Sequence, residues 1–328
     1  MHESDGGGKA GGSCLGVLNK ILAFLSRYAP QAMAGGIFLG LLMPGLASQL
    51  RPYLAEAVWG LLFLAMVRIE FRDVVERMRR PMLVIALVTW MLVITPLLMT
   101  LILMGVDLRP GLEAALILTA ASSSLFSTPT LGIMFGLDGA LLLIVLVITT
   151  LLVPITLPLV ALTLLGFDMG ADPFAMMGRM SALVLWSAAA AIVTRKLMGG
   201  PRVERSGTFF DSVAVVLLIG FAIGIMDGVT DRLIGDPAYI VFVAAISFVV
   251  YAGMMAASYV VFIYAVPGAG RRASISAGFI SGTRNLAIIL AVLPASVDPD
   301  VPLFFAVGQF PIYIMPIVLK PVFRRLLR

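Results

Sequence analysis

The sequence predicts an all-α polytopic membrane protein, and three observations carry that reading. Hydrophobic residues make up 60% of the 328 residues and charged residues 12%, with a mean hydropathy of +1.06, more apolar surface than a soluble domain of this length can bury. The apolar residues come in runs of the length that crosses a bilayer, roughly 20 residues, punctuated by Gly, Pro and charges. The basic residues fall on alternate connections between those runs, as the positive-inside rule requires.

The runs are 30 to 49, 54 to 69, 82 to 104, 112 to 135, 139 to 166, 174 to 194, 209 to 227, 237 to 265, 273 to 294 and 302 to 322. With the N terminus inside, 18 of the 23 Lys and Arg lie on the cytoplasmic side, while Arg51, Arg109, Arg179 and Arg232 lie outside and Arg284 lies within a span. This predicts ten transmembrane helices in a cell (inner) membrane with both termini cytoplasmic. It also explains the pI of about 9.6 without a nucleic-acid partner; the partners left are membrane lipid and a ligand. Residues 1 to 29 read as a flexible Gly-rich tail followed by an interfacial helix over LGVLNKILAFL. Residues 30 to 166 and 167 to 328 then form two five-helix halves of one integral membrane domain, and an odd number of spans per half inverts the second relative to the first.

Two spans have polar interruptions. In the fourth, ILTAASSSLFSTPTLGIMFG carries Ser122, Ser123, Ser124, Ser127, Thr128, Pro129 and Thr130; in the ninth, GFISGTRNLAIIL carries Ser281, Gly282, Thr283, Arg284 and Asn285. Pro129 lacks a backbone donor and clashes with the preceding turn, and Gly282 favours non-helical backbone, so both spans should unwind there. Backbone freed at membrane depth is tolerated where it lines a cavity or is buried in protein. Breaks at the fourth position of each half predict two inverted repeats with broken crossing helices 4 and 9, a secondary transporter with its site at the midplane. Packing alone is the plainer explanation for either break taken singly.

Other chemistries lack residues. The single cysteine and the single histidine, Cys14 and His2, are on the tail, and no Asp or Glu lies in a span interior. Metal sites, cofactors, acid pairs and an activated serine are therefore not expected, and the chain does not read as an enzyme. A channel would need a polar lining along its length rather than polar residues at one depth.

An Arg at a span centre costs roughly 2.5 to 3.5 kcal/mol on insertion scales, so Arg284 should face a partner or a cavity. One role is to donate to carbonyls freed by the two breaks. Another is to attract an anionic substrate through bidentate pairing with a carboxylate or sulfonate, aided by the positive ends of the broken helices. Asn285, Thr283, Ser124, Ser127 and Thr128 are the polar side chains expected around it.

From about residue 30 onward the chain resembles the bile acid:sodium symporter family, part of the bile/arsenite/riboflavin transporter superfamily. The resemblance rests on GLLFLAMVRIEFRDVVERMRRP closing span 2, the polar break of span 4, VITTLLVPITLP in span 5, and SGTRNLAI in span 9, which is similar to the family's Glu-x-Gly-x-Gln-Asn segment. It implies a panel domain and a core domain, alternating access, and a further polar ligand at Gln309. This sequence departs from the pattern at the sodium sites. Ile280 and Arg284 stand where the family has Glu and Gln, and further ligand positions fall at Leu141, Val145 and Met91, with Thr89 and Thr149 nearby; Ser127 and Thr128 align with a family Ser-Asn pair. Sodium wants several hard oxygens, preferably with an anion among them, which puts sodium in doubt as a partner. The expectation is a divergent, sodium-independent transporter of a small or medium organic anion in which Arg284 replaces sodium. The alternatives are a sodium-coupled symporter with rearranged sites and a non-transporting sensor or partner protein on the same fold. Oligomeric state is not specified by these features.

Overall fold

The computed structural model of the protein describes residues 29–69, 80–166, 172–294 and 296–327; the tail and the interfacial helix expected before residue 29 lie outside them. Among the described residues the secondary structure is helical apart from one isolated antiparallel bridge. In chain order the helices are α1 (Ala29–Leu42), α2 (Pro44–Leu50), α3 (Leu54–Arg68), α4 (Pro81–Leu103), α5 (Pro110–Ala121), α6 (Thr128–Met134), α7 (Gly139–Leu164), α8 (Pro173–Met198), α9 (Gly200–Arg205), α10 (Gly207–Gly224), α11 (Val229–Gly235), α12 (Pro237–Tyr264), α13 (Gly270–Ser281), α14 (Leu286–Leu290), α15 (Asp300–Val307) and α16 (Gln309–Leu327).

Among the described residues six stretches are long and apolar enough to cross a membrane: Pro44–Arg68, Pro81–Leu103, Gly139–Leu164, Pro173–Met198, Gly207–Gly235 and Pro237–Tyr264. Large apolar side chains such as Leu101, Trp186, Val241 and Val249 stand exposed on them, a surface that suits lipid rather than water. The protein is thus all-α, polytopic and membrane-embedded. Helix is the form such runs must take, because lipid offers no partner to an unpaired N–H or carbonyl. Polar residues mark the starts: the Asp138 and Asp236 side chains accept from Leu141 N and Tyr239 N, each at 3.1 Å, capping α7 and α12.

The remaining expected spans are divided. Met43 interrupts the first, because the residue before Pro44 is driven out of helical backbone (φ −126°, ψ 71°). The loop expected near residue 51 is instead a 3₁₀ turn, Arg51–Tyr53, so α2 runs on into α3. Residues 112–135, 273–294 and 302–322 carry the pairs α5 and α6, α13 and α14, and α15 and α16.

The chain forms two compact units, one of residues up to Arg68 with Ala188–Asp227, the other of Ile69–Ser187 with Gly228–Arg328. In the first, α1 lies against α10 through Gly36 and Gly40; a Cβ on Gly40 would meet the Ile223 carbonyl and Met226 Cβ. Small residues one turn apart are what allow two membrane helices to approach this closely. Arg51 pairs with Asp227 at 2.8 Å, Arg68 pairs with Asp211, and Arg195 Nη1 donates to the Val67 carbonyl at 2.8 Å.

In the second unit α12 packs on α13, where Gly278 leaves room for the Met255 carbonyl. Phe279 meets Phe135 and Phe323 edge to face at centroid distances of 5.7 and 5.6 Å. The same unit carries a charged lattice centred on Asp300, the first residue of α15. Asp300 accepts from Arg232 Nη1 at 2.6 Å and from the Tyr239 hydroxyl at 2.8 Å. Arg109 stands 3.9 Å from Asp300 and 3.4 Å from Asp236, with its guanidinium 3.7 Å over the Tyr239 ring. The lattice thus ties together the start of α5, α11, and the first turns of α12 and α15.

Asp300→Asn removes the charge that Arg232 and Tyr239 address while its side chain is only 10% exposed, so a loss of about 1–3 kcal/mol is expected. Asp236→Asn keeps its capping ability and lies in solvent, and should cost less than about 1 kcal/mol. Thermal midpoints of the two purified variants test that order.

Candidate functional site

The two polar segments meet inside the second unit. α5 ends at Ala121 because Ser122 turns extended (φ −72°, ψ 158°) and its hydroxyl donates back to the Thr119 carbonyl at 2.8 Å; α13 ends at Ser281. The unwound stretches 122–127 and 282–285 then run antiparallel across each other. Leu125 N donates to the Thr283 carbonyl and Asn285 N to the Ser123 carbonyl, each at 2.9 Å, about the Ser124 and Arg284 bridge. Each break thereby satisfies backbone groups that the other has freed.

A chain of hydroxyls fastens the crossing. Ser124 donates to Thr128 Oγ1 at 3.1 Å, Thr128 donates to Thr283 Oγ1 at 2.8 Å, and Thr283 donates to the Phe279 carbonyl at 3.1 Å. All three residues are buried.

Two expectations about the breaks need correction. Pro129 does not cause the unwinding; it lies in the first turn of α6, where its missing N–H would have had no helical partner in any case. Gly282 has ordinary negative φ (−96°). Its lack of a side chain serves close approach instead, because a Cβ there would collide with Met255.

Arg284 is fully buried. Its Nε donates to the Ser281 carbonyl at 2.8 Å, and its Nη1 donates to the carbonyls of Ser122 at 2.8 Å and Met91 at 3.3 Å. Ser122 and Ser281 sit at the C-terminal ends of α5 and α13, where carbonyls lack helical partners and the dipole favours a cation.

The Met91 carbonyl is free for a reason written in the sequence. Residues Trp90–Ile94 form a π turn, so the Thr95 N–H, which would serve Met91 in an α-helix, bonds Trp90 instead. The next candidate donor is Pro96, which has no N–H. Three carbonyls from three helices therefore converge on one guanidinium, and among the described residues no carboxylate accompanies it.

The other expected site residues divide into two groups. Ser127 is exposed, while Asn285, also buried, gives its backbone N–H to the crossing and has a side-chain amide with no hydrogen bond among the described residues. Gln309 is buried, but its Nε2 donates to the Phe305 carbonyl at 3.1 Å, one turn back. The positions aligned with sodium ligands, Ile280, Leu141, Val145 and Met91, are buried apolar side chains. Of the nearby hydroxyls, Thr149 donates to the Val145 carbonyl of its own helix at 2.8 Å and Thr89 is exposed. Among the described residues no three His, Cys, Asp or Glu gather as a metal site would require. The helices starting beyond the breaks, α6 and α14, have seven and five residues, so their dipoles add less positive potential than expected.

Sequence reasoning names Met91 only as an altered sodium position and misses its carbonyl; it misses Tyr251 altogether. Pro96 was the available signal for the first. Tyr251 is fully buried with an unpartnered hydroxyl; a lone Tyr in an apolar run gives no comparable signal.

No protein-family model matches the chain, and no curated protein matches it. The hydroxyl clasp offers a direct check of the site's geometry. Thr128→Val and Thr283→Val should each cost about 1–2 kcal/mol by leaving a buried hydroxyl short of a partner, whereas the double variant should lose less than the sum, with a coupling of about 0.5–1.5 kcal/mol. Denaturation midpoints of the three variants measure the coupling.

Proposed function

We propose that the protein is a secondary transporter of a small or medium organic anion, a carboxylate or sulfonate, working by alternating access without sodium. The observation that carries this reading is the set of carbonyls held by Arg284. In broken-helix transporters, carbonyls released by unwinding coordinate the coupling cation. Here a side-chain cation takes that task, which supports a carrier that needs no sodium. Its charge acts at short range in a medium of low dielectric and attracts an anion toward the exposed Ser127 and the free amide of Asn285. Ser124, Thr128, Thr283 and Gln309 hold the crossing in shape.

The ten-span topology belongs to the same reading, with broken crossing helices 4 and 9 formed by α5 with α6 and α13 with α14. Each five-span half gives residues to both compact units, which supports inverted repeats folded into a panel (the first unit) and a core (the second), in the manner of the bile acid:sodium symporter family. Cytoplasmic termini and a cell-membrane location follow from the distribution of Lys and Arg. Proton coupling has no carrier, since Arg does not titrate; movement is by facilitated diffusion or anion exchange. A non-transporting sensor on the same scaffold is the second reading, favoured by the complete burial of Arg284.

Purified protein should bind carboxylates or sulfonates equally in sodium and choline buffers, and proteoliposomes should take them up. Uptake should fall at least tenfold in Arg284→Gln protein that remains folded. A strong sodium requirement overturns the proposal, and binding without flux favours the sensor.

A further inference from the structure

A guanidinium has five N–H bonds, and the carbonyls of Ser281, Ser122 and Met91 take those of Nε and Nη1. Nη2, equally buried, has no partner. The Tyr251 hydroxyl is in the same condition. These two groups form no hydrogen bond with each other. A Cβ built on Gly308 would lie 3.5 Å from the Tyr251 hydroxyl and 3.3 Å from Leu286 Cδ1, which places the hydroxyl beside the crossing, near the residue two positions after Arg284. Ser281 Oγ and Ser123 Oγ, on residues whose carbonyls serve the crossing, are buried without partners as well.

What these atoms share is the ability to donate. Leaving four buried donors unpaired is costly, and the one group among them that carries charge has no carboxylate beside it among the described residues. A partner that accepts hydrogen bonds satisfies all four donors, and one that also carries negative charge neutralises Arg284 as well. It must also be small, because Arg284, Tyr251, Ser281 and Ser123 are all at most 1% exposed.

We propose that the crossing holds a halide-sized monovalent anion between Arg284 Nη2 and the Tyr251 hydroxyl, with the Ser281 and Ser123 hydroxyls as further donors. The organic substrate is assigned to Ser127 and the Asn285 amide, so the two anions share the charge of Arg284 but not these donors. It does not depend on transport, since a sensor on this scaffold would hold the anion equally well.

The test uses full-length protein purified without sodium. Its thermal midpoint is compared in choline chloride, choline bromide and choline gluconate at equal ionic strength. Chloride and bromide should raise the midpoint by about 2–5 °C over gluconate at saturation. Tyr251→Phe should remove most of that difference while staying folded, because the lost hydroxyl bonds nothing in the protein. Arg284→Lys, which lacks Nη2, should remove it too. Equal midpoints in the three salts, or an undiminished halide response in Tyr251→Phe, would overturn the proposal and put water in the gap. Carboxylate binding is read separately, so failure here leaves the transport reading to its own test.

Discussion

A buried guanidinium bonded to three backbone carbonyls is the constraint around which the second unit is arranged. Unwinding two helices at membrane depth frees N–H and carbonyl groups that lipid cannot satisfy. The crossing answers the N–H side by mutual pairing, through Leu125 and Asn285. It answers the carbonyl side with Arg284, which reaches the ends of α5 and α13 and the π turn of α4. Magnitudes favour the arrangement: an unsatisfied buried carbonyl costs about 1–3 kcal/mol, so three of them outweigh the roughly 2.5–3.5 kcal/mol of placing an Arg at membrane depth. Lys would not substitute, because a point charge cannot span three acceptors as the planar fork does.

The packing around the crossing follows from the same need. Gly278 and Gly282 let α12 come close enough to lay Met255 against the break. Trp90, in the π turn, is held by its Nε1 donating to Ser258 Oγ at 2.5 Å, and Thr95 donates its hydroxyl to the Trp90 carbonyl at 2.6 Å. The distorted turn that exposes the Met91 carbonyl is therefore fixed from two sides. The hydroxyl chain from Ser124 to Phe279 runs in one donor direction, so each Thr both gives and receives. Such a chain is fully satisfied only as a unit.

How much of this was legible in the sequence depends on the kind of signal each residue gives. Composition and run length carry the membrane class, and clustered polar residues in otherwise apolar runs mark both breaks and single out Arg284. The causes assigned to the breaks were read less well. Pro129 looked like a helix breaker because a proline at the start of a helix and one inside it are the same letter. Gly282 looked like a turn residue, although what it provides is space against a side chain 27 positions away in sequence, which no local pattern records. Gln309 is placed by the family resemblance, and a resemblance does not say that an amide will bond its own helix one turn back. The Met91 carbonyl was hidden because backbone acceptors carry no residue type, and only Pro96 hints at it.

A tethered cation changes what a carrier of this design can do. Where the bridging charge is a dissociable ion, the core has a loaded and an empty state, and ion release can drive the exchange between conformations. With Arg284 on the chain itself, the carbonyls of Ser122, Ser281 and Met91 have the same partner throughout, and that energetic difference disappears. Only a ligand with unequal affinity for two conformations can shift their populations. On the transport reading proposed above, the organic anion is then both cargo and driving ligand, and the direction of movement follows its own gradient. On that proposal, the three carbonyl bonds of Arg284 and the lack of ion coupling have a single side chain as their common origin.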